Sequence, residues 1–252
     1  MRVLASYSIK GGVGKTAAGV NLGWEAARAG WRTLVWDLDP QAAATWYFWV
    51  RPRVRGGGKS IVRGKRDLDD LVRETDFPAL HLLPGDFSYR SLDLLLDRQG
   101  KPRRRLRKRI GPLAAEYDLL LIDCPPGISL TAEAVFRAVD ALIVPVIPTP
   151  LAIRTLDQLY DFRAREGLDH LTVLPFLSMV DRRKRLHRET AGQLLDERPD
   201  FLSTEIGYRS EVERMGVERA PIGGFAPGGR AARTYRGLWR EIEQRMPLAD
   251  AH

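Results

Sequence analysis

The sequence predicts a doubly wound α/β fold around a mainly parallel sheet, and three observations lead there. Short runs rich in Val, Ile and Leu alternate with helical patterns along most of the 252 residues. Several of these runs, LLLID at 119–123 and ALIVPV at 141–146 among them, are apolar without alternation. That is the composition of strands covered on both faces, as in a parallel sheet. A glycine-rich segment also joins the first strand directly to the first helical pattern, the junction where α/β proteins bind phosphate.

Taken in order, the first strand is Arg2–Ser8, the apolar part of MRVLASYSI, and the helix Lys15–Ala29 follows the glycine-rich segment. Thr33–Asp37 is the next strand and ends in the acidic sequence WDLDPQ. Leu80–Leu83, Asp118–Asp123, Ala141–Val146 and Thr172–Phe176 supply further strands, with a final short one at Ser203–Ile206. Helices are expected at Ser129–Val139, Ile153–Glu166, Arg188–Glu197 and Arg233–Arg245, so strands and helices alternate as right-handed crossovers require. Neither an internal repeat nor a linker between two domains is visible, and a single domain over 1–252 is expected.

Two basic segments interrupt this alternation. RPRVRGGGKSIVRGKR at 51–66 combines three consecutive glycines with many cations and reads as a flexible basic loop. KPRRRLRKR at 101–109 carries seven Lys or Arg in nine positions, and Leu106 and Ile110, four apart, suggest a helix whose other faces are cationic.

The composition narrows the function classes. A hydrophobic fraction of 44% supports a core, and no run approaches the roughly 18–20 apolar residues of a membrane-spanning helix. The chain begins on a strand without signal-peptide architecture. With Cys124 as its one cysteine it can form no intrachain disulfide, which fits a reducing cytoplasm. A formal net charge of +8 suits nucleic acid or an anionic membrane surface, or only a generally Arg-rich composition.

The segment Lys10-Gly-Gly-Val-Gly-Lys-Thr16 carries the most specific chemistry. Gly11, Gly12 and Gly14 permit a tight turn and close backbone approach, and their N–H groups with those of the next helix form an anion cradle. Val13 and Ala17 belong to the same cradle, Lys15 can reach β- and γ-phosphates, and the Thr16 hydroxyl can bind Mg²⁺. The usual P-loop glycine five residues before Gly14 is replaced by Ile9, and an added lysine, Lys10, stands at the loop entrance. Its position aims it towards phosphates of the same or a neighbouring subunit. Asp123 ends the LLLID run, where it would help hold hydrated Mg²⁺. Asp37 and Asp39 end the second long strand at the same carboxyl edge. One of these two can orient attacking water while the other supports the metal shell.

KGGVGKT, DLDPQ and LLLIDCPPG, in this order and spacing, resemble the deviant Walker ATPases of the ParA/MinD family, which have a SIMIBI-like P-loop NTPase fold. The likeness extends through PTPLAIRTLDQL, LSMVDRRKRLHRE and APGGRAARTYRGLW, leaving the two basic segments as peculiarities of a subgroup. With no DNA-binding domain before the P-loop, the chain is similar to the short ParA type. The resemblance implies ATP and Mg²⁺ as ligands, a sandwich homodimer formed with ATP, and Lys10 reaching the partner's nucleotide. It further implies Asp123 as the Walker B acid and Asp39 as the residue that positions water. Ala17 and Ala42 stand where relatives often carry Thr and Gly.

Relatives differ in the surface they ride on. The last helix, TYRGLWREIEQRM, places Leu238, Trp239, Ile242 and Met246 at helical spacing with acids and bases opposite, so it is expected to pack on the domain rather than to bind membrane. Arg230 matches a DNA-contacting arginine of short ParA proteins, and Arg233 and Arg236 follow at a spacing that allows one cationic face. A second such arginine falls at Tyr208, with Arg209 adjacent. Arg209, Arg230 and Arg233 are therefore the expected DNA contacts. The expectation is a cytoplasmic, nucleoid-associated ATPase that binds DNA non-specifically and positions or partitions a cargo: a chromosome, a plasmid, or a protein assembly such as a carboxysome. An activating adaptor protein on the cargo would stimulate hydrolysis. The alternatives are a MinD-like division-site ATPase on membranes and a metabolic ATP-dependent enzyme on the same fold. A cluster-bearing reductase is disfavoured by the absence of a second cysteine.

Overall fold

The computed structural model describes residues 1–64, 66–98 and 102–246, without the side chains of 102–105. Lys65 and Lys101, which belong to the two basic segments, and residues 247–252 lie outside the described residues. Seven strands form one sheet: β1 Arg2–Ser6, β2 Thr33–Asp37, β3 Arg73–Glu74, β4 Leu80–Leu83, β5 Leu119–Asp123, β6 Ala141–Val146 and β7 Thr172–Leu177. Their order across the sheet is β3-β4-β2-β5-β1-β6-β7, parallel throughout except for β3, which pairs antiparallel to β4 at the edge. The helices are α1 Lys15–Arg28, α2 Ala43–Tyr47, α3 Gly57–Arg63, α4 Leu92–Asp97, α5 Pro102–Ile110, α6 Leu130–Phe136, α7 Pro150–Arg165, α8 Arg185–Glu197, α9 Ser210–Glu218, α10 Ile222–Phe225 and α11 Arg230–Arg245.

The unbroken apolar runs follow from the two cores. Along β1, Val3 and Ala5 enter one core while Leu4 enters the other; along β2, Leu34 and Trp36 oppose Val35 in the same way. The first core continues into Ile61, Leu92, Phe136, Leu156 and Leu194, and the second into Val20, Leu22, Met215, Ile222 and Leu238. Helices thus cover both faces, so between their polar ends the central strands are apolar. No helix among the described residues is long and apolar enough to cross a membrane.

The last helix packs as its spacing predicts. Leu238, Trp239 and Ile242 are buried, and Trp239 meets Trp31 edge to face with ring centroids 5.4 Å apart. The Trp31 indole N–H donates to Glu243 at 2.7 Å. This contact presses α11 onto α1, the helix that carries the phosphate loop.

Several expectations need correction. Ser203–Ile206 is not a strand; isolated bridges flank it, Leu202 to Phe176 and Gly207 to Val180, and Ser203 and Thr204 bond Glu241 of α11. The segment 51–66 is not simply a flexible loop, because it contains α3, which buries Ile61 and Val62 in the first core. Helix α7 starts three residues before its expected position, with Pro150 in its first turn, where a missing N–H costs nothing. Helix α11 begins at Arg230 rather than Arg233.

Candidate functional site

The site lies where the chain reverses its direction across the sheet. From β1, the chain crosses to β2 on one side and later from β5 to β6 on the other, so the carboxyl end of β1 faces an open crevice. The turn between β1 and α1 fills that place. Gly12 and Gly14 have φ of 72° and 94°, left-handed values that a β-carbon disfavours. A β-carbon on Gly14 would lie 3.0 Å from the Ser178 hydroxyl, which itself donates to the Val13 carbonyl at 2.8 Å. At Gly11 and Gly12 a β-carbon would meet nothing within 4 Å and would project into open space. The loop is therefore closed on the β7 side and open on the other.

Helix α1 opens with Gly14 as its N-cap residue and no side-chain cap, leaving its first N–H groups to a ligand. The Ser6 hydroxyl donates to the Lys15 carbonyl at 2.8 Å, tying the end of β1 to the start of α1. Lys15 is buried, and its ammonium makes a long 3.4 Å contact to the Lys10 carbonyl. Thr16 and Lys10 are half-buried. Ala17 is buried in the second core, which suits a small residue in the first turn.

The three aspartates divide into distinct roles. In the sheet register Asp123 pairs with both Ser6 and Asp37, so the two strand-end carboxylates are neighbours. Asp37 is fully buried. One of its oxygens accepts from the Thr45 N–H (2.8 Å) and the Thr45 hydroxyl (2.7 Å), and the other from the Asp39 N–H (3.2 Å). Asp123 is equally buried, yet among the described residues neither of its carboxylate oxygens meets a hydrogen-bond partner. Burial pushes both carboxyls above the ordinary range, and mutual repulsion raises Asp123 further. The nearby Thr16 hydroxyl and Lys15 ammonium pull Asp123 the other way. A buried carboxylate with two unpartnered oxygens calls for a cation or its water shell, and Thr16 stands next to it. Asp37, expected to join the metal shell, also holds the turn that follows β2. Asp39 is half-buried, and one of its oxygens accepts from the Gln41 N–H at 2.8 Å.

The turn held by Asp37 is strained. Ala42 has a φ of 53°, in the left-handed region where glycine is at ease. Its methyl group packs closely against Gly85, where an added β-carbon would lie 2.8 Å from it. The Thr45 hydroxyl also accepts from the Gly85 N–H at 2.7 Å, which ties the turn and α2 to the segment after β4.

A cleft of about 350 Å³ extends from the phosphate loop. Gly12, Gly14, Lys15 and Thr16 form one end, and Tyr47, Met179, Tyr208, Val212 and Tyr235 provide apolar and aromatic walls. Such walls suit a nucleoside base. Sequence reasoning missed Ser178, Met179 and Tyr235. The first two directly follow β7 at the carboxyl edge, and that position was the available signal. Met179 has a φ of 54°, an uncommon value for a side chain of its size.

The expected DNA contacts are not all alike. Arg230 and Arg233 are exposed at the start of α11. Arg209 is half-buried and lines both the nucleotide cleft and a smaller cleft of about 110 Å³ shared with Arg182 and Arg230. Arg236 does not join a cationic face: its guanidinium turns inward to the buried Glu25 at 3.3 Å. Within the run 181–188, Arg182 pairs with Glu205, Arg183 with Asp181 and Arg185 with Glu189.

Comparison with known proteins agrees with this geometry. Residues 1–165 match the model of a family described as an AAA domain. The chromosome partitioning protein ParA of Myxococcus xanthus is 32% identical over 254 residues, covering 97% of this chain and 88% of its own. Among solved structures, the McdA–ATP complex of Cyanothece is similar with a TM-score of 0.80 at 19% identity, covering 96% of both chains. Cobyrinic acid a,c-diamide synthase of Mycobacterium smegmatis, with a bound ATP analogue and magnesium, gives 0.82 at 23% identity, covering 98% and 96%.

Proposed function

The chain belongs to the ParA/MinD family of P-loop ATPases, and on that premise we propose that it is a nucleotide-operated positioning switch. It binds ATP with Mg²⁺, pairs as a homodimer in that state, holds DNA without sequence preference and positions or partitions a cargo. An adaptor protein on the cargo stimulates hydrolysis and release. The observation that carries this reading is the orphaned Asp123 carboxylate buried beside an uncapped helix N-terminus, a lysine and a hydroxyl. That set suits a metal–triphosphate and little else.

The roles follow from position. The N–H groups from Gly11 to Ala17 and the Lys15 ammonium bind the phosphates. Thr16 and Asp123 hold the metal, which neutralises phosphate charge when bound. Asp37 fixes the turn through Thr45, and the turn presents Asp39 to orient water. Lys10, half-buried at the open side of the loop, is placed to reach a second copy's nucleotide. Lys10→Ala is expected to leave nucleotide binding by the single chain intact and to abolish ATP-dependent pairing, read by light scattering with a slowly hydrolysed ATP analogue. Normal pairing in that variant would reject the cross-subunit role.

DNA binding is supported by the exposure of Arg230 and Arg233 and by the net charge of +8. Retention of non-specific duplex DNA is expected to require ATP. With about six phosphate contacts per dimer, affinity should fall on the order of a thousand-fold between roughly 50 and 200 mM salt. Retention that is independent of ATP, or that ignores salt, would count against the switch.

A further inference from the structure

A second, larger cavity of about 780 Å³ shares no lining residue with the nucleotide cleft. It lies between the segment Arg53–Lys59, the edge strand β3 and the stretch from Asp86 to Leu95. Four cations line it: Arg53, Arg55, Lys59 and Arg73, all exposed. One carboxylate, Asp86, opposes them.

Several surface arginines elsewhere are neutralised by carboxylates: Arg182, Arg183, Arg185, Arg198 and Arg214 each pair with one. Here Arg73 reaches only the neighbouring Val72 carbonyl at 2.7 Å, and no ion pair among the described residues engages Arg55 or Lys59. Asp86, whose oxygens accept from the Val54 N–H (2.8 Å) and the Ser88 N–H (2.9 Å), lies in the field of Arg53 and offsets one of the four charges, so the group stays net positive. Like charges gathered in a concave site repel one another unless an anion enters.

The floor is rigid. The Ser88 hydroxyl accepts from the Gly58 N–H at 2.7 Å. Gly57, with a φ of 57°, lies so close to Ser88 that a β-carbon would be 2.5 Å from its hydroxyl, so only glycine lets the loop close. Residue 85, adjacent to Asp86, is tied through Thr45 to Asp37. The lining offers Val54 and Leu95 as its apolar side chains and no aromatic ring, so nothing grips a nucleoside base as the nucleotide cleft does.

We propose that this cavity is a second anion site, which takes a small ligand presenting several closely spaced phosphates. Its concave form and closed floor favour an oligophosphate chain or a multiply phosphorylated small molecule over a duplex, which would meet the cations only from outside.

The test uses the full chain carrying Lys15→Ala, so that the phosphate loop no longer competes. Titration calorimetry with inorganic tripolyphosphate and, separately, inositol hexakisphosphate distinguishes the linear from the ring-borne source. One of them is expected to bind, and the added substitutions Arg55→Ala, Lys59→Ala and Arg73→Ala should weaken it by at least about 30-fold, each lost cation removing charge-assisted hydrogen bonds. If Lys15→Ala perturbs folding, the otherwise wild-type chain serves: the three substitutions should remove one binding equivalent of tripolyphosphate and leave the other. The proposal is overturned if neither probe binds, if the three substitutions leave binding unchanged, or if they cost duplex DNA affinity more than probe affinity.

Discussion

Replacing Lys15 with alanine is expected to remove nucleotide binding, with affinity lowered by at least about 100-fold, or ~3 kcal/mol. Lys15 is the buried cation of the loop, held at the start of α1 by the bond from Ser6 to its own carbonyl. Its ammonium lies near Asp123, a buried carboxylate whose other favourable neighbour is the Thr16 hydroxyl, and its loss would leave that charge less compensated. The variant therefore removes a phosphate contact and worsens the electrostatics of the metal position together. Equilibrium dialysis or fluorescence titration with a labelled nucleotide reads the effect. Affinity within a few-fold of wild type would show that the triphosphate sits elsewhere, and the roles of Gly11 to Thr16 would fall with it.

Asp39→Ala is expected to lower hydrolysis by about 10²- to 10³-fold, the usual range for a group that orients or deprotonates the attacking water. Nucleotide affinity should stay within a few-fold, because among the described residues the Asp39 side chain hydrogen-bonds the Gln41 N–H and not the phosphate loop. One of its oxygens is held by the Gln41 N–H and its backbone by Asp37, so the side chain is positioned without being consumed. The variant should accumulate as the ATP-bound pair and remain on DNA. Phosphate release measured beside nucleotide affinity separates the two effects. Undiminished turnover would reject the assignment, and a matching loss of affinity would make Asp39 a binding residue. Asp37→Ala should behave differently, losing stability as well as turnover, since it leaves Thr45 and the Asp39 N–H without their acceptor.

Much of the fold was legible because burial on both sides leaves a plain mark. Thr33–Asp37, Leu80–Leu83 and Ala141–Val146 match their expected bounds, since every residue there except the half-buried His81 is buried. The helices α2, α3 and α4 were missed for the complementary reason: at five to seven residues they complete too few turns to show a period. Strand β3, with two residues, shows none at all. The segment 51–66 was read as a loop because its cations and glycines outweigh Ile61 and Val62, which the structure nevertheless uses as core.

By itself the sequence determined the phosphate loop, the strand that feeds it, and the acidic strand ends at one edge of a parallel sheet. These are local: a strand, a turn that needs glycine and a helix must be contiguous to make an anion cradle. Only the tertiary structure decided which aspartate keeps its oxygens free and which cations remain unpaired. Asp37 finds its partner at Thr45, and Arg236 finds Glu25 across 211 positions of chain. Electrostatic pairing depends on distance in space, and a linear pattern of charges carries no record of it.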